Sequence, residues 1–323
     1  GYEAKGNDFF EMTNLEEADI IVAPVAWQDY IENRELTRDL AKYATPQKPI
    51  IIFFWHFEKE KVDIPNSIIL RTSFPRTTRQ SNEYTIPLWR EDYLNTQLNG
   101  ELILREKNDI PVVGFCGQAI LPYKERIQQI KDVFRILRYG IQKTNEGRDK
   151  RFWHVFRGKV LSYIKLSKSI KTNFIARVKF FGEVDKDTQK VFQQEFINNI
   201  IHSDYVVSIR GTANSSYRLY EALSFGRIPV FINTDCMLPF ETDIDWKSIC
   251  VWVDESEIDQ IDKKIIDFHN RLSPEDFINL QKKCRQIWED YLSPQGFFRH
   301  LYRYIELHQT ISSNHESNKN QDL

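Results

Sequence analysis

Short runs of consecutive apolar residues punctuate the chain, and few of its strands alternate. Asp19-Ile20-Ile21-Val22-Ala23-Pro24 and Pro49-Ile50-Ile51-Ile52-Phe53-Phe54-Trp55 are the first two, and between them Gln28 to Tyr43 carries helical spacing. Strands that are apolar on both faces fit a parallel sheet covered by helices, so the chain opens as β-α-β. Ser67 to Leu70 and Tyr84 to Pro87 read as further strands. A second series starts with Ile110 to Phe115, which runs into the small-residue turn Gly114-Phe115-Cys116-Gly117. Pro122 to Arg138 then reads as a helix with Ile127, Ile130, Phe134 and Leu137 on one face. Strands are predicted at Arg177 to Phe181, Tyr205 to Ile209, Ile228 to Ile232 and Ile249 to Val253. Helices are predicted at Thr188 to His202, Ser216 to Phe225, Ile258 to Arg271 and Pro274 to Tyr291. Alternation of this kind makes two doubly wound α/β units in tandem. The expected boundaries are a first domain over 1–107, a second over 108–292, a helix over 293–309 returning to the first, and a polar, disordered tail over 310–323.

Composition narrows the partners. Of 323 residues, 41% are hydrophobic and 28% charged, and the net charge of -2 argues against a nucleic-acid binder working through overall charge. Cys116, Cys236, Cys250 and Cys284 lack C-x-x-C spacing, so neither zinc nor a disulfide framework is signalled, and a reducing cytoplasm is expected. No apolar run is as long as a membrane span. The chain opens Gly1-Tyr2-Glu3 without methionine, which leaves room for a removed leader.

The chemistry concentrates between Ser208 and Val230, SIRGTANSSYRLYEALSFGRIPV. A strand ends at Arg210-Gly211, a short loop Thr212-Ala213-Asn214 follows, and Ser215 or Ser216 is placed to cap a helix. Backbone N–H groups and a helix dipole at a strand's carboxyl end suit an anion. Gly211 allows close backbone approach, and Arg210, Ser215, Ser216 and Arg218 add donors for phosphate oxygens. Glu221, one turn on and expected on the exposed side of the helix, suits the two hydroxyls of a ribose. Gly226 is expected to close the helix in the left-handed conformation. Read from physics alone, a plain polar helix start explains these residues equally well.

The same stretch, followed by Leu238-Pro239-Phe240 and Ile244-Asp245-Trp246, resembles the exostosin family, glycosyltransferase family 47. Arg-Gly, Ser-x-Arg, Tyr-Glu-Ala-Leu, Gly-x-Ile-Pro-Val, Leu-Pro-Phe and Ile-Asp-Trp occur in order. The match is dense from about Phe180 to Val253, and Glu17 to Pro24 is similar to an early strand of the family. The resemblance implies a GT-B fold, two Rossmann-like domains facing across a cleft, and inverting transfer from a nucleotide sugar without an obligatory metal or other cofactor. Absence of an anchor makes the chain look like a shorter, bacterial type. It implies that Arg210 faces the diphosphate, that Asn214, Ser215, Ser216 and Arg218 line its loop, and that Glu221 takes the ribose. Gly117 with Lys124 or Arg126 are weaker candidates for the far side.

Inverting transfer needs a base for the acceptor hydroxyl, and His56 and Glu58 follow the strongest strand of the first domain. His56 is favoured for its pKa range; Asp19, Asp29 and the Arg71 to Arg79 loop compete. Asp185-Lys186-Asp187 and Asp243-Ile244-Asp245 spell D-x-D, but the first sits in a charged loop and Asp245 is expected to orient a turn. The basic run from Arg148 to Lys179, interleaved with Phe152, Trp153, Phe156 and Tyr163, fits either peripheral docking on an anionic membrane or a solvated helix face. The expected function is glycosyl transfer from a UDP- or GDP-linked sugar to a glycan or glycolipid acceptor, in surface polysaccharide or lipopolysaccharide synthesis. The alternative is a nucleotide- or glycan-binding module without turnover.

Overall fold

The computed structural model describes residues 8–28, 31–55, 60–121, 150–177, 182 and 184–319. Two compact units divide the chain: Gly1–Trp89 with Asp235–Ile244 and Trp288–Leu323, and Arg90–Thr234 with Asp245–Ile287. Each holds one wholly parallel sheet.

In the first unit β1 (Ile21–Val22), β2 (Ile50–Phe54), β3 (Ser67–Arg71) and β4 (Glu83–Thr85) lie side by side in chain order. The helix α1 (Ile31–Ala41) connects the first two. Ile50, Ile52 and Phe54 pack with Trp27, Val62 and Ile69 in one core, as a run without polar positions requires. Two later pieces of chain complete this unit. The turn at Asp235 forms an antiparallel bridge between Pro75 and Cys236, and Asp235 takes the Thr77 hydroxyl at 2.5 Å. Tyr304 then donates its hydroxyl to the Thr85 carbonyl at 2.8 Å and accepts the Phe240 N–H at 3.0 Å, with its ring stacked on Phe240 at 4.8 Å.

The second unit holds α2 (Tyr93–Gln97), β5 (Val112–Gln118), α3 (Lys150–Leu166), β6 (Lys171–Arg177), α4 (Lys186–Ile201), β7 (Tyr205–Ser208), α5 (Tyr217–Ser224) and β8 (Ile228–Asn233). After the excursion come α6 (Trp246–Ile249), β9 (Val251–Asp254), α7 (Ile261–Arg271) and α8 (Pro274–Ile287). The strand order is β6-β5-β7-β8-β9, so the winding reverses at β5, the place where open α/β sheets bind ligands. The chain then returns to the first unit through α9 (Pro294–His300) and α10 (Tyr302–Lys319).

Three expectations change. The boundary falls at Trp89, not 107, because side chains far along the chain hold residues 90–107 to the second unit. Arg285 pairs with Asp92 at 2.8 Å, Arg105 reaches Asp204 at 2.5 Å, and the fully buried Arg227 donates to the Ile103 carbonyl at 2.8 Å. The end at 292 likewise moves to Ile287, and 235–244 leaves for the first unit. Helix α10 runs past Thr310 to Lys319, into the stretch expected to be disordered.

The basic run also reads differently. Its described residues fold as α3 and as β6, and of the strand expected over Arg177 to Phe181 all but Arg177 lies outside the described residues. Trp153, Phe156, Val160, Leu161 and Ile164 form a buried stripe on α3, so two of the aromatic residues that suggested membrane docking face the core. No helix among the described residues is long and apolar enough to cross a membrane. All four cysteines are free and buried.

Helix α3 lies against the chain after β5 with no room for a side chain at Gly158, where an added Cβ would fall 1.7 Å from the Ile120 carbonyl oxygen. Gly158→Ala should therefore destabilise the second unit by about 3 kcal/mol despite alanine's better helix propensity. Denaturant unfolding followed by circular dichroism measures this; an unchanged midpoint would contradict the packing.

Candidate functional site

The site forms where β5 and β7 part. Successive residues of a strand turn their peptide groups to alternate neighbours. The Asp204 N–H meets the Val112 carbonyl at 2.8 Å and the Ala119 N–H meets that of Arg177 at 3.1 Å, so even-numbered residues of β5 face β7 and odd-numbered ones face β6. Pairing with β7 stops at Gly114 and Val206, while pairing with β6 continues to Gln118. The carbonyls of Cys116 and Gln118 thus lie on the β7 side beyond the end of the ladder. Arginines occupy both.

Arg218, in the first turn of α5, donates its Nε to the Cys116 carbonyl at 3.1 Å. Arg157 reaches over from α3, donating Nη1 to the Gln118 carbonyl at 3.2 Å and Nε to that of Arg210 at 3.0 Å. Its Nη2 approaches the Ile209 carbonyl at 3.4 Å. One guanidinium therefore bridges the two strand ends. Among the described residues no carboxylate pairs with Arg157, and burial together with the Arg218 charge pushes its pKa down to about 10. Arg218 has a partner, Glu221, and lies 4.1 Å over the ring of Phe196.

The loop after β7 is held from below. Arg210 lies 4.0 Å over the Trp153 ring and donates to the Thr212 carbonyl at 2.9 Å. Gly211 packs closely on the brace, since a Cβ there would sit 3.2 Å from Arg157 Nη2. Asn214 is buried and its Oδ1 accepts from the Thr234 hydroxyl at 2.8 Å, so it anchors the loop to the end of β8. Ser216 is the N-cap residue of α5 yet makes no capping hydrogen bond, and the buried Ser215 hydroxyl finds no partner among the described residues. Neither serine caps the helix as expected, and its leading N–H donors lack the usual side-chain acceptor. Gly226 takes φ 63°, closing α5 as anticipated.

Glu221 is 7% exposed, not on the outer face of α5 as expected. It points inward to Arg218, and its charge, after burial, is the next contribution raising the pKa of Tyr93. Gly117 lies beside the same pair; a Cβ there would meet Arg218 Nη2 at an ordinary 3.7 Å. The structure thus brings Gly117, Arg210, Gly211, Ser215, Ser216, Arg218 and Glu221 to one end of one sheet. Sequence reasoning missed Arg157 and Trp153. The available signal was an arginine four residues after Trp153, on the apolar stripe of α3.

Other candidates fare differently. His56, Glu58, Asp29, Lys124 and Arg126 lie outside the described residues. Asp19 precedes β1, at the end of the sheet opposite to where loops present ligand groups. In the Arg71 to Arg79 loop, Arg71 pairs with buried Glu83 at 2.5 Å, Arg76 with Glu241 at 2.5 Å, and Arg79 donates to the Glu83 carbonyl at 2.7 Å. Asp185 caps α4 by accepting the Thr188 N–H at 2.9 Å, and Asp243 faces Arg303 at 3.5 Å. Asp245 precedes α6 without a capping hydrogen bond.

A family model, the Exostosin GT47 domain, matches residues 102–267, just over half of the chain. The chain belongs to this family. Exostosin-1 of Drosophila melanogaster is 30% identical over 107 residues, 33% of this chain and 14% of that protein. Exostosin-1a of Danio rerio is 25% identical over 237 residues, 72% of this chain and 28% of the relative. A probable glucuronosyltransferase, GUT1 of Oryza sativa subsp. japonica, is 48% identical over 52 residues, 16% of this chain and 12% of that protein. The matches thus span less than a third of these exostosins. Among solved structures, a glycosyltransferase of Rickettsia africae ESF-5 aligns with TM-score 0.37 and 11% identity over 90% of this chain and 77% of the other. HepE of Anabaena, solved with UDP and glucose, aligns with TM-score 0.31 and 12% identity over 93% and 78%. Within this exostosin GT47 chain the Leu238-Pro239-Phe240 motif belongs to the first unit, where Phe240 is buried against Tyr304, so it is a packing signature.

The Arg218–Glu221 pair is mostly buried, and removing one partner strands the other's charge. Arg218→Met should cost about 3 kcal/mol, and adding Glu221→Leu should recover the part that comes from the stranded carboxylate, leaving the cost of the unmet Cys116 carbonyl. A double-mutant cycle by denaturant unfolding checks this; additive losses would mean that the two side chains are independent.

Proposed function

We propose that the chain is a nucleotide-sugar-dependent glycosyltransferase whose donor diphosphate sits at the carboxyl ends of β5 and β7. The observation that carries this reading is the uncapped start of α5 beside Arg157, Arg210 and Arg218 at the switch point of the second sheet. An uncapped helix start presents N–H donors and a positive dipole end to an anion, and guanidinium groups add charge-assisted donors. Glu221 takes the ribose after exchanging part of its bond to Arg218 for hydroxyl groups. Family membership supports the reaction class.

Transfer proceeds by inversion. The acceptor hydroxyl oxygen bonds to the anomeric carbon, the bond from that carbon to the phosphate oxygen breaks, and its electron pair leaves with the nucleoside diphosphate. The hydroxyl proton passes to a base, for which His56 and Glu58 are the proposed groups. No obligatory metal is invoked. The carboxylate of Asp185 accepts from Thr188, and that of Asp243 faces Arg303. The acceptor is a glycan or glycolipid of a surface polysaccharide or lipopolysaccharide.

A thermal-shift screen against UDP, GDP, CMP and their sugars tests the donor site. The cognate nucleotide at a hundred times its Kd should stabilise by about 2.7 kcal/mol. Glu221→Ala should lose that stabilisation while staying folded. Indifference of the wild type to every nucleotide would refute the reading, and donor binding without transfer or hydrolysis would favour a binding module.

A further inference from the structure

Arg157 has two features that a purely structural brace does not require. It is charged, although accepting carbonyls ask only for neutral donors, and no acid among the described residues neutralises it. Three of its nitrogens reach the carbonyls of Gln118, Ile209 and Arg210, yet a guanidinium carries five N–H groups, so part of its donor set has no partner among the described residues. Burial and the Arg218 charge already depress its pKa, the sign of a cation held in an environment that disfavours it. Such placement is stable when an anion joins the cluster.

The surroundings specify which anion. Arg157 and Arg218 grip carbonyls two residues apart on β5, so their charged groups occupy neighbouring positions along one strand edge. Arg157 also lies directly under the loop, its Nη2 at 3.2 Å from where a side chain on Gly211 would begin. The helix start and the Ser215 hydroxyl, which finds no partner among the described residues, follow directly on the same loop. Two cationic groups at separate points of one strand edge match two linked phosphates better than a single one.

We propose that Arg157 is a donor-binding residue: together with Arg218 it forms a paired cationic floor that selects a nucleoside diphosphate over the monophosphate. This rests on the donor site proposed above and adds a residue on α3 to a site otherwise drawn from β7 and α5.

Calorimetric titration of UDP, GDP, UMP and GMP into wild type, Arg157→Gln and Arg157→Lys tests this, with thermal midpoints and circular dichroism recorded for each protein. Arg157→Gln should weaken the bound diphosphate by roughly ten- to a hundredfold and the matching monophosphate by about threefold or less, with Arg157→Lys between wild type and Arg157→Gln. Equal losses for diphosphate and monophosphate, or no loss in a folded variant, would overturn the assignment and leave the donor site standing. Wild type that binds none of the four nucleotides would sink the donor site itself. Should both variants fail to fold, inorganic pyrophosphate and phosphate are compared on wild type: stabilisation by pyrophosphate well beyond that by phosphate supports the paired floor, and equal or absent stabilisation overturns it.

Discussion

The second unit depends on a ladder that stops early. Beyond Gly114 and Val206, β5 and β7 no longer exchange hydrogen bonds, and the carbonyls of Cys116 and Gln118 must be satisfied by other means. Unmet, each would carry the cost of a buried polar group without a partner. Arg218 and Arg157 answer that need, and in doing so bring positive charge to the reversal point of the sheet. The side chains that satisfy the backbone are thus the ones the proposed donor site would use. At the end of the ladder Gly114 leaves no room for a side chain, since a Cβ there would fall 2.1 Å from the Ser203 hydroxyl.

Around this opening the contacts form a graded set. Trp153 supports Arg210, Asn214 ties the loop to Thr234, and Arg218 holds Glu221 inward. Among the described residues the Ser215 hydroxyl finds no partner, and Ser216 makes no capping bond. The rigid members fix the shape of the loop, while the unspent donors sit at the helix start. A loop preorganised in this way would lose little freedom on taking the proposed donor.

The sheets were legible in the sequence because parallel strands buried on both faces must be apolar throughout, as Ile50 to Phe54 and Ile228 to Ile232 are. The loop from Arg210 to Ser216 was legible because a strand end, a glycine and a helix start follow one another locally. What could not be read depended on partners distant in the chain. Nothing near Asp92 or Arg105 announces Arg285 or Asp204, so the boundary was set too late. Glu221 looked exposed because helical spacing does not reveal that it turns inward to Arg218 and is buried. Arg157 was hidden among bases, where charge suggested a surface and only its register with Trp153 pointed inward.

The Leu-Pro-Phe excursion changes the order in which the protein can be made. The strands of the first unit leave the ribosome early, but Phe240 and Tyr304, which close over Thr85, follow much later. The second unit is complete once Ile287 has emerged. Domains usually mature from the amino terminus onward during synthesis. Here the amino-terminal strands wait, with an unfinished apolar face, until translation has passed Tyr304, so a ribosome that stalls after Ile287 leaves the second unit able to fold and the first unfinished.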